Sequence, residues 1–269
     1  MSCLQLPAEL LDLIVDLLHD TRCALMNCCL VSTSWIPRSR KHLFATITFH
    51  TEERLQSWKK AFPNPSTSPA HYTETLFVEC SLVVTAADAE AGGWVTAFSH
   101  VVNLEVSGRE LPTRRLAVNL AALHGLSPVV KSLRMNITHI TSSQVFDLIL
   151  SFPLLESLAL VAHQEPFTDN GDGSDGRESV ARPSSSHMFT GSLEILPWGG
   201  MKPITHRLLS LPSGIHFRRL SVTWNREEDI LLTTALVEGC SHTLESLKIT
   251  CHCASIWYLC LLPTAYFCL

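Results

Sequence analysis

The sequence predicts an α/β chain in two parts: a small all-helical unit at the N-terminus, then an irregular solenoid of strand-plus-helix repeats on a parallel sheet. Three observations carry this expectation. Two short and strongly apolar helical segments occupy the first 44 residues. A strand-like apolar-x-apolar pair recurs from Leu76 onward. Helix-like stretches separate several of those pairs, as they must if parallel strands are to follow one another.

The chain has 269 residues, enough for a small module and a larger domain. Apolar residues make up 46% and charged residues 17%, which places it among globular rather than disordered chains. A formal net charge of −5 gives no reason to expect nucleic-acid or anionic-membrane partners. The first 18 residues have no basic leader, and Glu9, Asp12 and Asp16 interrupt their apolar run, so neither a signal peptide nor a membrane span is expected. The 10 cysteines are then read as reduced thiols, and a cytoplasmic or nuclear location is expected.

Pro7 suits the start of a helix, where a missing N–H is not needed. Leu6, Leu10, Ile14 and Leu17 form one apolar stripe at helical spacing, and Leu11, Val15 and Leu18 form a second. So short and apolar a helix is either fully buried or docks its second stripe on a partner. Asp20 is placed to cap a second helix carrying Leu25, Cys28, Cys29, Leu30 and Val31 and leading to Trp35. Pro37 ends that helix or starts another, and Phe44, Ile47 and Phe49 then alternate as an extended segment.

In order along the chain these anchors read Leu6-Pro7-x-Glu9-Leu10-x-x-x-Ile14-x-x-x-Leu18, then Leu25-x-x-Cys28-x-Leu30-Val31-Ser32-x-x-Trp35. The string resembles the F-box motif over roughly residues 4–44. It departs from the family near Asp20, where a proline is often found. The resemblance implies a three-helix unit that binds a Skp-type adaptor and, through it, a cullin. It implies that Leu6, Pro7, Leu10, Leu11, Ile14, Leu30, Val31 and Trp35 make or support that contact.

Residues 49–72 read as a connection, with a helix from Glu53 to Phe62 and a Pro- and Ser-rich linker from Pro63 to Tyr72. The repeated pairs are Leu76-x-Val78, Leu104-x-Val106, Leu133-x-Met135, Leu158-x-Leu160, Leu193-x-Ile195, Leu220-x-Val222 and Leu247-x-Ile249. Their spacings are 28, 29, 25, 35, 27 and 27 residues. Helix-like stretches lie at Val118–His124, Ser143–Phe152 and Glu227–Glu238. The period and the phrase Leu-Glu-Ser-Leu, at Leu155–Leu158 and Leu244–Leu247, resemble irregular leucine-rich repeats, although the usual Asn or Cys after the strand is mostly missing. The resemblance thus sharpens the fold expectation to an F-box at 1–48, the connection at 49–72, and a leucine-rich-repeat-like solenoid at 73–253.

The one long spacing holds a polar, Gly- and Ser-rich stretch expected to be a flexible insertion at 164–189. Its acidic glycine run does not match a calcium loop, since Ser179 stands where the closing Glu is needed. Residues 254–269 form an uncharged, apolar tail, too short to span a bilayer reliably and unlike the polar cap a solenoid needs. A truncated or mis-joined C-terminus is the expectation there.

Cys240, His242, Cys251, His252 and Cys253 are the best candidates for metal ligands, but the chain has no C-x-x-C pair, and ordinary thiols are expected instead. No phosphate loop, G-x-S-x-G elbow or H-E-x-x-H helix occurs, so neither an enzyme nor a cofactor is expected. The function implied by the resemblance is a non-catalytic substrate adaptor of a Skp–cullin–F-box ubiquitin ligase, with an unknown target held by the repeats. The alternative is a leucine-rich-repeat interaction scaffold whose N-terminal helices only cap the solenoid.

Overall fold

The computed structural model describes residues 7–79, 94–108, 123, 125–126, 128–137, 142–162, 190–197, 202–211, 214–224, 227–251 and 264–268. Within them the chain is mixed helix and strand around one long sheet.

Three helices come first. They are α1 (Ala8–Leu17), α2 (Arg22–Val31) and α3 (Ile36–Phe44). Pro7 takes the N-cap position of α1, and its carbonyl accepts from the Leu10 and Leu11 N–H groups at 3.1 and 3.2 Å. Asp20 does not cap α2. Thr21 occupies that position without a side-chain bond, while Asp20 turns to the His19 ring at 3.1 Å. Ser32 breaks α2 with extended backbone, and its hydroxyl caps a 3-10 turn at Thr33–Trp35. Pro37 then sits in the first turn of α3, the helix restart it permits.

Among the described residues, nine strands follow in one sheet, in sequence order. They are β1 (Thr46–Phe49), β2 (Thr75–Glu79), β3 (Asn103–Gly108), β4 (Ser132–Ile137), β5 (Ser157–Ala162), β6 (Ser192–Pro197), β7 (Arg219–Trp224), β8 (Ser246–Cys251) and β9 (Thr264–Cys268). The first eight are parallel, and β9 is antiparallel to β8.

The register reproduces the apolar pairs read from the sequence. Leu76, Leu104, Leu133, Leu158, Leu193, Leu220 and Leu247 stand side by side. Val78, Val106, Met135, Leu160, Ile195, Val222 and Ile249 form the parallel row two residues on. Ile47 and Phe49 extend both rows into β1, so the alternating segment after α3 is the first strand of the sheet. Both rows are buried from β1 to β7 and half-buried on β8. A one-residue slip would turn every one of these side chains to the opposite face, which is why the register holds.

The step between strands also repeats. The Ala45 carbonyl accepts from the Glu74 and Thr75 N–H groups, Glu74 from Val102 and Asn103, Val102 from Lys131 and Ser132, and Lys131 from Glu156 and Ser157. Arg218 and Arg219 do the same on Gly191, and Glu245 and Ser246 on Arg218. Each coil thus satisfies the backbone of the next just before the strand begins.

Helix α4 (Glu52–Ala61) meets the expected connecting helix and is capped by the Thr51 hydroxyl. The stretch expected as a linker holds two 3-10 turns, Pro65–Thr67 and Pro69–Tyr72, with Ser68, Pro69 and Ala70 buried. Trp58 of α4 meets Phe44 and Phe49 edge-on and Phe62 and Phe98 at a tilt, an aromatic cluster at the first end of the core.

Helices α5 (Ser142–Leu150) and α7 (Glu228–Gly239) lie where the sequence places them. Helix α6 (Lys202–Leu209) is not among the helix-like stretches read from the sequence; Pro203 stands in its first turn, where a proline leaves no bond unmade. The expected helix at Val118–His124 falls outside the described residues except for Leu123, which is buried. The insertion at 164–189 and the acidic run rejected as a calcium loop also fall outside them. Among the described residues, no helix is long and apolar enough to cross a membrane.

Candidate interaction surface

Helix α1 buries only Val15 completely, at 1% exposure. Leu11 and Leu18, one turn to either side of it, are half-buried. The stripe that packs inward is therefore the second one, Leu11–Val15–Leu18. The sequence left two outcomes, a fully buried helix or the second stripe docked on a partner; in the structure it is the first stripe that faces water. The outward stripe is Leu10, Leu13, Ile14 and Leu17, with Leu17 76% exposed. Helix α2 repeats the arrangement: Leu25 and Cys28 face in, while Met26, Leu30 and Val31 face water. Leu30 is 85% and Val31 68% exposed.

Of the residues singled out from sequence, Leu10, Ile14, Leu30 and Val31 are exposed aliphatics, and Pro7 is exposed at the head of α1. Leu11 and Trp35 are half-buried and support the helices from beneath. Leu6 lies outside the described residues. Leu13, Leu17 and Met26 are the exposed apolar residues that sequence reasoning left out of the set. The signal for Leu13 and Leu17 was present, since 10, 13, 14 and 17 is the i, i+3, i+4, i+7 pattern of one helix face. What the pattern lacks is a sign for inside or outside when both faces of a helix are apolar.

One polar contact fixes α1 against α3. The Arg38 guanidinium donates to both Asp16 carboxylate oxygens, Nε reaching Oδ1 at 2.6 Å. His42 Nε2 lies 2.7 Å from the same Oδ1. An ionised carboxylate only accepts, so this ring nitrogen carries its proton. The hydrogen bond from Arg38, then that from His42, hold the Asp16 carboxyl well below its ordinary value of 3.8. His19, just beyond α1, places Nδ1 2.8 Å from the Asp16 carbonyl and its ring centroid 6.2 Å from that of His42.

The opposite face of the sheet is polar and finely mixed. The positions between the two buried rows are Phe77, Glu105, Arg134, Ala159, Glu194, Ser221 and Lys248. The row on the near side is mostly hydroxyls: Thr75, Ser132, Ser157, Ser192 and Ser246, with Ser192 donating to Ser157 at 3.0 Å.

Of the metal-ligand candidates, Cys240 is buried at the end of α7, where burial pushes its thiol up. Cys251 ends β8, and His252 and Cys253 lie outside the described residues. Among the described residues, no three His, Cys, Asp or Glu side chains are grouped to hold a metal. No protein-family model, curated protein or solved structure matches the chain.

Proposed function

We propose that this chain is a substrate-recognition adaptor of a Skp–cullin–F-box ubiquitin ligase. In this reading the helices α1–α3 are an F-box-like unit that docks a Skp adaptor, and the repeats form a leucine-rich-repeat-like solenoid whose outer sheet face holds the target. The chain works in the cytoplasm or nucleus and needs no catalytic group of its own.

The observation that carries the reading is the pair of exposed stripes on α1 and α2. Seven large apolar side chains stand in water there, with exposures that sum to about four fully exposed aliphatic residues. Burying them gives a gross driving force of roughly 6–12 kcal/mol, at about 1.5–3 kcal/mol per side chain. A monomeric surface rarely keeps so much apolar area on consecutive helices without a partner. The ordered motif anchors name a partner of the right kind. The in-register ladder of apolar pairs supports the solenoid half.

The scaffold reading has one observation in its favour. Helix α3 runs directly into β1, and the Thr73 hydroxyl donates to the Phe44 carbonyl at 2.9 Å, so the helical unit also covers the first edge of the core. Purified Skp adaptor separates the two readings. Binding that is lost in Leu30→Asp and in Leu10→Asp, both folded, supports the ligase adaptor. A parent protein that folds and ignores the adaptor leaves the scaffold.

A further inference from the structure

Few contacts hold α1 in place. Of its ten residues only Val15 is fully buried, and the four large aliphatics on its outer face keep between 39% and 76% of their surface in water. Its neighbours α2 and α3 are anchored differently: α2 by Leu25 and Cys28, α3 by the buried Ser39 and by running into the sheet. Asp16 lies on α1 one residue beyond Val15 and spans to two cationic or proton-bearing groups of α3, Arg38 and His42. These contacts cross 22 and 26 residues of sequence, so they are tertiary and not part of any helix.

We infer that the Asp16 carboxylate is the pin that positions α1, and with it the outward stripe Leu10–Leu13–Ile14–Leu17, against α3. With one fully buried side chain and the rest of its apolar surface only part-covered, α1 gains little from apolar burial to set against the entropy of ordering its ten residues. A bidentate guanidinium–carboxylate pair is directional, and a third donor on the same oxygen fixes the carboxylate's rotation as well as its place. Asp16 is thus a positioning residue: it touches no partner, and it acts through the side chains it orients. Without the pin, α1 opens locally while α2, α3 and the sheet keep their structure.

For the docking of α1 the inference stands on the geometry alone. For partner binding it rests on the adaptor reading above. Hydrogen exchange on the full chain tests the first part, with the parent, Asp16→Asn, Arg38→Met and the double variant. The expected result is exchange in residues 8–17 faster by about tenfold in each single variant, no faster in the double, and unchanged in β2–β8. Parent-like protection of 8–17 in Asp16→Asn overturns the inference. So does a uniform rise across helices and sheet, or effects of the two substitutions that simply add. The binding arm uses purified Skp adaptor with Asp16→Asn and Leu30→Asp. Weakened binding in both, with fast exchange in 8–17 only in Asp16→Asn, is the expected outcome. A parent that binds no adaptor, with protection of 8–17 still lost in Asp16→Asn, sinks the ligase reading and leaves the pin standing.

Discussion

Gly191 offers the sharpest test of the coil-to-coil packing. It precedes β6 at the position that Lys131 precedes β4 and Glu156 precedes β5, both with full side chains. At Gly191, however, a Cβ would lie 1.6 Å from the Glu156 carbonyl oxygen and 2.5 Å from its carbon. Real Cβ atoms stay beyond about 3.0 Å of such neighbours, so Gly191→Ala must drive the two backbones apart by about 1.4 Å. Three bonds ride on that peptide: Ser192 N–H to Glu156 at 2.7 Å, and Arg218 and Arg219 N–H to Gly191 at 2.8 and 3.3 Å. The first, lengthened by this much, is no longer a hydrogen bond, and the same shift takes the Gly191 carbonyl out of line with the Arg218 and Arg219 N–H groups. At about 1 kcal/mol net each, their loss costs roughly 3 kcal/mol, less a few tenths recovered because alanine has a more restricted unfolded state. With a urea slope of about 3 kcal/mol/M, the midpoint falls by about 1 M. Urea unfolding followed by tryptophan fluorescence measures this. Gly239→Ala is the matched control, because its Cβ meets only side-chain atoms, of Ile215 at 3.1 and 3.2 Å and of Leu209 at 3.2 Å, and no backbone. A Gly191→Ala midpoint within 0.2 M of the parent, a margin of about 0.6 kcal/mol, refutes the reasoning.

Three further outcomes follow from the same structure. Leu133→Ala, at 0% exposure in the middle of the ladder, lowers stability by about 2–5 kcal/mol in the same urea assay. Leu30→Asp leaves stability within about 0.5 kcal/mol of the parent, since its side chain is already in water; on the proposed adaptor reading it also lowers affinity for purified Skp adaptor at least about tenfold by calorimetry. Acid affects the helical unit through Asp16. Its folded carboxyl lies below the ordinary 3.8, so the unfolded chain takes up the proton first. The stabilisation is complete above about pH 4 and disappears as pH falls from there toward the folded value. Exchange in residues 8–17 therefore accelerates, relative to its intrinsic rate, below about pH 4 in the parent and shows no such step in Asp16→Asn.

The sequence by itself determined the ladder. Pairs such as Leu76-x-Val78 and Leu158-x-Leu160 point one way from a pleated strand, and a spacing of 25 to 29 residues leaves room for one crossover, so parallel neighbours in register follow from local pattern alone. The aliphatics Leu10, Ile14, Leu30 and Val31 were singled out by their place in the motif resemblance, and that they face water is what the structure adds. Only the tertiary structure decided which side of α1 faces water, because Leu10–Ile14–Leu17 and Leu11–Val15–Leu18 are equally apolar and the choice is made by where α3 places Arg38 and His42. Strand β9 was hidden in a stretch of continuous apolarity that has no period to read. The need for glycine at 191 was hidden too, since it comes from a backbone 35 residues earlier in the chain. Local pattern records what a residue prefers to face; the partner that meets it is set by segments far away in sequence, and that part of the structure exists only once the coils are stacked.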